Sequence, residues 1–561
     1  MRLHLSILTL ALAASLSASA ATFTFTIDGI NYETTDDNIV RVIAKTPAYT
    51  GDIVIPASVE YGGTTYPVTE IYNKAFDKCS GVTSVSIPNS VTKIGNFAFR
   101  DCTGLTTVTI PEGVTTITRK AFGGCTGLTT VNFDAINCTS MSEGQKTLAV
   151  FEGCTNLTTI IIGDNVTNIP GNGFYGIASL KTLTIGESVK TIEQWSFEGC
   201  TGLETINYNA TNCETIGITT RGVFAYTDDG VLYTSVKTVN IGENVESIPA
   251  RAFKECSAMT TLNFSNAEAL ETIGNEAFNK CSGLTTVDLS NTEVTTIGND
   301  AFSDCYILDT DSGLTNLDLG NKVTTIGERA FYNNKKISAL DLPKSITSIG
   351  TFAFYDLIGM VTFTLHKSPD EFSSIGTQAF YNNQAILIND SGTEIAPGTA
   401  GYGLMLQSVD IVVVINSKAA IELDNDNPTA LPFATVTIAD PNSQHPKGNE
   451  AATMAWSSSD PTVVQVDENG NVKAIGKGEA TITLTCTDHN AKVDPATITF
   501  ERLAVVANDF IPAGIDSIAA DEEGGAAEVY TLQGVKTNER DLAPGIYVRR
   551  AGDKATKVLV K

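Results

Sequence analysis

The sequence is short of the residues that catalysis draws on. Only four histidines occur in 561 residues, at His4, His366, His445 and His489, so the stretch from 5 to 365 has none. A serine, cysteine or threonine nucleophile is normally activated by a neighbouring histidine or an equivalent base, and over most of the chain that partner is missing. No two cysteines are spaced as CxxC, and no Cys/His cluster has the spacing of zinc ligands. No glycine-rich phosphate loop is present. Positive charge is scarce, with 36 Lys and Arg against 63 Asp and Glu and a net charge of −27. That balance repels phosphate backbones and anionic lipid surfaces. Past the N-terminus there is no run of eighteen apolar residues, as a membrane helix requires. The two tryptophans, Trp195 and Trp456, offer little for a sugar-stacking platform. Paired carboxylates serve glycosidases, but among so many acids a coincidental pair is expected. A chain that is not an enzyme, with no cofactor, no metal and no nucleic-acid partner, is the expectation.

What the chain does have begins at its start. Arg2 precedes a mostly apolar run from Leu5 to Leu16 and then Ala18-Ser19-Ala20, the layout of a cleavable signal peptide. The first cysteine is Cys79, which argues against a lipid anchor at the cleavage site. A soluble, exported chain is expected.

A phenylalanine, usually preceded by alanine, then returns at Phe76, Phe99, Phe122, Phe151, Phe174, Phe197, Phe224, Phe253, Phe278, Phe302, Phe331, Phe354 and Phe380. Its steps run from 23 to 29 residues, with 23 the commonest, so a 23-residue unit recurs with loop insertions. Within "AFRDCTGLTTVTIPEGVTTITRK", Leu105, Val108 and Ile110 alternate with threonines, which predicts a short half-buried strand. Pro111, or glycine at Gly163, Gly186, Gly242 and Gly320, then stops it. Val114 and Ile117 turn inward again, and the next "AF" is read as a short helical turn. One such unit cannot bury its apolar side alone, so the units must stack with parallel strands. At about 4.8 Å per strand, thirteen turns give a curved rod on the order of 60 Å long.

These units resemble the leucine-rich repeats of BspA-like surface antigens over roughly residues 50 to 390. The resemblance implies a mainly β solenoid with a parallel sheet on its concave face, and a role in binding or host attachment. After residue 405 the register ends. There "MAWSSSDPTVVQVDENGNVKAIGKGEATITLTC" has the alternation of a β-sandwich and resembles the group 2 bacterial immunoglobulin-like domain, with Trp456 expected in its core. The last 45 or so residues, with "VYTLQG" and "LAPGIYV", resemble the C-terminal sorting domains of type IX secretion in Bacteroidetes. The expected layout is a signal peptide at 1–20, a β-rich cap at 21–70, the solenoid at 71–405, the immunoglobulin-like domain at 406–507, and a linker with the sorting module at 508–561.

Eight cysteines (Cys79, Cys102, Cys125, Cys154, Cys200, Cys256, Cys281 and Cys305) stand three residues after a repeat phenylalanine. In stacked turns they would align as small buried hydrophobes. Neighbouring rungs would also lie within disulfide range, so reduced thiols are the expectation and bridges between rungs the alternative.

One position per strand should face outward: Ser86, Thr109, Asn132, Ile161, Thr184, Asn207, Asn240, Asn263, Asp288, Asp318, Asp341 and Thr364. This column drifts from hydroxyl through amide to carboxylate. Asn240, Asn263, Asp288, Asp318 and Asp341 are the candidate ligand-binding residues. Their aspartates, about 5 Å apart if the strands pair, would repel one another unless a cation or a basic partner lies against them. A solvated acidic stripe is the other reading. Runs such as "DTDSG" (309–313) and "DNDNP" (424–428) are calcium-like only in composition, and fit turns as well. The expected partner is a protein or glycan macromolecule, such as one of the host extracellular matrix, met at the outer cell surface. An envelope structural or glycan-sensing role is the alternative, and a glycan hydrolase the third.

Overall fold

The computed structural model describes residues 22–35, 38–142, 148–217, 223–228, 231–307, 312–381, 383, 385–391, 409–438, 452–488, 496–508, 510, 528–531, 536–537, 545–551 and 554–560. The expected signal peptide, most of the 309–313 run, His445 and His489 lie outside these residues. The chain divides into two units, one of Met1–Met360 with Phe372–Asn383 and the other of Val361–Glu371 with Gln384–Lys561.

In the first unit each repeat closes one coil, and like positions of successive coils stack. Thr107–Ile110 is a strand in which Val108 and Ile110 are buried and the threonines exposed. That alternation is why threonine and a β-branched apolar residue recur: one face of the pleat packs inward and the other meets water. The strand starts an in-register parallel ladder of seven, continuing through Thr130–Phe133, Thr159–Ile162, Thr182–Ile185, Thr205–Tyr208 and Thr238–Ile241 to Thr261–Asn263. Loop insertions do not shift it, since Asn207 still faces Asn240. A second ladder is built from dipeptides such as Thr116–Ile117, whose isoleucine is buried. Its longest uninterrupted part joins six of them, from Ser247–Ile248 to Ser374–Ile375. At the N-terminal end, antiparallel strands Thr24–Ile27, Ile30–Thr34 and Val40–Ile43 lead to Thr64–Ile71, which pairs in parallel with Lys93–Ile94 and so feeds into the second ladder.

Between the ladders runs the phenylalanine column. All thirteen rings form consecutive ring–ring contacts from Phe76 to Phe380, with centroids 4.8–5.9 Å apart. The "AF" segments around them are not the helical turns expected. Most are a pair of i→i+3 turns, as in Ala75 N to Tyr72 O and Asp77 N to Lys74 O, broken by left-handed residues two before and two after the phenylalanine. Lys74 and Lys78, Phe97 and Asp101, Arg251 and Glu255, and Asp300 and Asp304 all have φ between 54° and 65°. A left-handed residue ends a helix, and here it frees the amides to bond the next coil. Lys74, Phe76 and Lys78 donate to the carbonyls of Asn96, Ala98 and Arg100. The turn region thus forms a third inter-coil ladder instead of a helix.

The second unit contains two sheets around a shared core. One joins Ile421–Leu423, Ala496–Val506, Gly478–Asp488 and Ala452–Ser458, and the other Thr429–Ala430, Val472–Ala474 and Val464–Val466. Val464, Val472, Ile482, Leu484, Cys486, Ala504 and Val506 are buried between them. Trp456 packs against this core and meets Phe433 edge-on at 5.2 Å. Four antiparallel strands, Glu528–Thr531, Lys536–Thr537, Gly545–Ala551 and Lys554–Val560, form a separate sheet at the C-terminal end.

Candidate functional site

The outward column on the long strands divides into parts with different local chemistry. In the seven-stranded ladder the amides bond along the column: Asn132 donates to Thr109 Oγ1 (3.2 Å), Asn207 to Thr184 Oγ1 (3.1 Å), Asn240 to Asn207 Oδ1 (2.9 Å) and Asn263 to Asn240 Oδ1 (3.4 Å). An amide both donates and accepts, so asparagine can link rung to rung where strand pairing brings like residues together. Asn240 and Asn263 are half-buried members of this row.

The carboxylates behave differently. Asp288 and Asp318 are exposed and face each other across the paired strands Thr286–Asp288 and Asn316–Asp318. Asp341 is also exposed, on Ala339–Leu342, which the described ladder bonds do not join to Asn316–Asp318. Three aspartates in one paired stack were expected, and two are paired. The strand ends also differ. Asp288 Oδ1 accepts from Ser290 N (2.9 Å), Asp318 Oδ1 from Gly320 N (2.8 Å) and Asn263 Oδ1 from Ser265 N (3.0 Å), each an Asx turn that ends its strand one residue early. Asp341 precedes Leu342-Pro343, and proline has no amide hydrogen to donate, so Leu342 remains in the strand. Asp288 and Asp318, with Thr286, Thr315 and Asn316, line a shallow depression of about 310 Å³.

The cysteines carry more than apolar volume. All eleven are unpaired and buried. Along the column the thiol donates to the carbonyl of the phenylalanine one coil back: Cys102 to Phe76 (3.1 Å), Cys125 to Phe99 (3.0 Å), Cys154 to Phe122 (3.1 Å), Cys200 to Phe174, Cys281 to Phe253 and Cys305 to Phe278 (3.2 Å each). In two of the five repeats that drop cysteine, asparagine takes the bond, while Ile177, Thr227 and Leu357 stand at the position in the other three. Asn334 donates to Phe302 O at 2.8 Å, and Asn383 to Phe354 O at 2.7 Å. A thiol is a weak donor, but an unmet buried carbonyl costs about 1–3 kcal/mol, which favours cysteine or asparagine at the rungs where the bond forms. Burial pushes the thiols of Cys200, Cys256 and Cys305 up to about 12. The thiolate is the reactive form and all eleven thiols are buried away from reagent, so the folded chain should resist iodoacetamide at neutral pH and take up eleven labels only once unfolded. Intact mass before and after denaturation checks this, and several labels on the native chain, or bridges in the unreduced mass, would count against the thiol ladder.

The one described histidine, His366, bonds Asp390 Oδ1 through Nδ1 at 2.6 Å, and Asp390 Oδ2 also pairs with Lys418. Among the described residues no group of three or more His, Cys, Asp or Glu side chains could hold a metal ion, and no helix is long and apolar enough to cross a membrane. Asp424, in the 424–428 run, accepts from the amides of Asp426 and Asn427 (2.8 and 2.6 Å) and so closes its own turn.

The model of the BspA type leucine rich repeat region matches residues 69–145, 147–228, 232–312 and 306–411, more than half of the chain. The chain belongs to this family. Residues 419–496, within the second unit, match the group 2 bacterial Ig-like domain. No curated protein matches. Among solved structures, a leucine rich cell surface protein from Faecalibacterium prausnitzii is 23% identical, covering 66% of this chain and 96% of its own, with a TM-score of 0.27. A leucine-rich repeat protein from Bacteroides ovatus is 22% identical, covering 61% and 94%, with a TM-score of 0.26. The pneumococcal vaccine antigen PcpA is 17% identical, covering 67% and 92%, with a TM-score of 0.24. The family's repeat proteins are surface proteins consistent with a binding or adhesion role, and no catalytic domain is matched in this BspA-type chain.

Proposed function

We propose that this BspA-type protein is an exported adhesin whose long-strand face captures an extended macromolecule, a host or matrix protein, with Asn240, Asn263, Asp288, Asp318 and Asp341 on the recognition surface. One observation carries the reading: seven in-register strands fix a row of outward side chains, polar at every rung but Ile161, at strand spacing, and the carboxylates follow beyond its C-terminal end. A preordered row suits many weak contacts, because little side-chain freedom is lost on binding. The carboxylates add attraction for a basic partner. The test is binding of the full chain to immobilised matrix proteins and, in parallel, to the producing cell's own envelope fraction. Saturable, salt-sensitive binding to a matrix protein is expected, and binding to the envelope alone would reject the adhesin reading in favour of a structural role.

Residues 1–20 serve as the export signal and 508–561 as the sorting module in this proposal. A chain ending at residue 528 should be lost from the cell surface, and undiminished surface display in fractionated cells would refute the sorting role.

A further inference from the structure

The last long repeat strand departs from the pattern of those before it. Thr362–Leu365 still alternates, with Phe363 and Leu365 buried and Thr362 and Thr364 half-buried. Its in-register neighbour Ala385–Asn389 is buried at all five positions. The register sets Ile386 beside Thr362 and Ile388 beside Thr364, so two isoleucines stand at outward positions and are nevertheless buried. Ile161, an isoleucine at the same outward position of an earlier strand, is 38% exposed, whereas Ile388 is 9% exposed. Residue type therefore does not account for the difference, and the last strand is covered on both faces.

The cover is the immunoglobulin-like core. Ile386 and Ile388 belong to one buried cluster with Val413, Ile415, Phe433, Ile482 and Leu484. Val409–Ile415 joins the two parts. It pairs in parallel with Ala385–Asn389, Val413 against Ile388, and antiparallel with Ala434–Ile438, Val413 against Val436. One strand thus belongs both to the repeat ladder and to the immunoglobulin-like fold. Polar contacts follow the same path. Asp390, directly after the last repeat strand, bonds His366 and pairs with Lys418, and its amide donates to Leu365 O at 2.9 Å. Arg502 Nε donates to Ser417 O at 2.8 Å, and its guanidinium lies over Phe433 at 5.1 Å.

We propose that the immunoglobulin-like domain and the repeat strands Thr362–Leu365 and Ala385–Asn389 form one cooperative folding block, in which the domain closes the outward face of the last repeat strand. Parts that share a core cannot open separately without baring it. Unfolding the immunoglobulin-like sheets would expose Ile386 and Ile388, and unfolding Ala385–Asn389 would strip apolar surface from the cluster. A domain with a core of its own, tied on by a linker, would open alone. The block does not depend on which ligand the long-strand face takes.

The test is native-state hydrogen exchange of the full chain at increasing urea. Amides of Ala385–Asn389 and of Gly478–Asp488 should open together with one urea dependence, and those of Thr107–Ile110 with another. Leu484→Ala removes volume from the immunoglobulin-like side of the cluster and should speed exchange at Ala385–Asn389 about tenfold or more. Ile388→Thr installs the residue type of Thr364 and should speed exchange at Gly478–Asp488 by a similar factor, whereas an isoleucine facing water would tolerate the change. If Leu484→Ala unfolds the immunoglobulin-like domain outright, Ala385–Asn389 should lose protection with it. Separate opening of the two groups in the wild-type chain, unchanged protection at Ala385–Asn389 in Leu484→Ala, or unchanged protection at Gly478–Asp488 in Ile388→Thr would each overturn the proposal.

Discussion

Phe354→Ala is expected to destabilise the repeat unit by about 3–5 kcal/mol, the usual cost of emptying a fully buried phenylalanine site. The ring is fully buried and stacks on Phe331 at 5.4 Å with planes 1° apart, and on Phe380 at 5.5 Å and 10°. Its neighbours are fixed by three inter-coil ladders, so the site can collapse little. In a stacked array each coil touches only its neighbours, and hydrogen exchange should therefore rise first in the coils holding Phe331, Phe354 and Phe380. Two residues earlier stands a control. Phe352 is at the left-handed position, with φ of 57°, and Phe352→Asn keeps a residue type that Asn172 already shows there. It forfeits the edge contact with Tyr355, worth about 0.5–1.5 kcal/mol. Urea unfolding of the two variants measures the contrast, and a loss under about 1 kcal/mol for Phe354→Ala would contradict a rigid ring column.

Gly327→Val should be comparably damaging for a different reason. A Cβ at Gly327 would lie 2.6 Å from the Asn299 amide nitrogen, 2.6 Å from Asn299 Oδ1 and 2.6 Å from the Gly298 carbonyl carbon. These are atoms of the preceding coil, and Asn299 Oδ1 is already bound to Glu328 N at 2.8 Å. Room for the side chain requires the coils to part, so the second ladder at Thr325–Ile326 would loosen on both sides. A loss of about 3 kcal/mol or more, at the upper end of overpacking costs, is expected in thermal or urea unfolding. Gly176 gives the comparison: its φ is 74° but a Cβ would meet nothing within 4 Å, and Asn333 occupies the equivalent position two after its phenylalanine. Gly176→Asn should cost under about 1 kcal/mol. Similar losses for the two glycines would mean that conformation, not coil spacing, selects glycine at Gly327.

How much of this was legible follows from which signals are tied to residue type. The repeat phenylalanines, the Thr-Val-Thr-Ile alternation and the cysteine register each name a residue at a fixed interval, and the parallel solenoid follows from them. The left-handed positions share no residue type, since Lys74, Phe97, Trp195 and Asp300 all occupy one of them. A pair of broken turns therefore reads as a short helix in sequence. The thiol bonds were hidden because a cysteine in register suits an apolar ladder equally well, although asparagine at Asn334 and Asn383 was a signal that the position wants a donor. In the acidic column the aspartates were visible but their strand-ending bonds depended on the residue two ahead: Ser290 and Gly320 offer an amide where Pro343 does not.

The central claim is that the long-strand face of this BspA-type protein is its recognition surface. It is tested most directly by titrating the captured matrix protein with the wild-type chain and with two variants: Asp288→Asn/Asp318→Asn/Asp341→Asn, and Thr184→Arg, which sets a bulky cation on the same face. The expected result is at least tenfold weaker binding for both, with a shallower salt dependence for the first as charge attraction is removed. Wild-type affinity in both folded variants would contradict the claim and move recognition off this face.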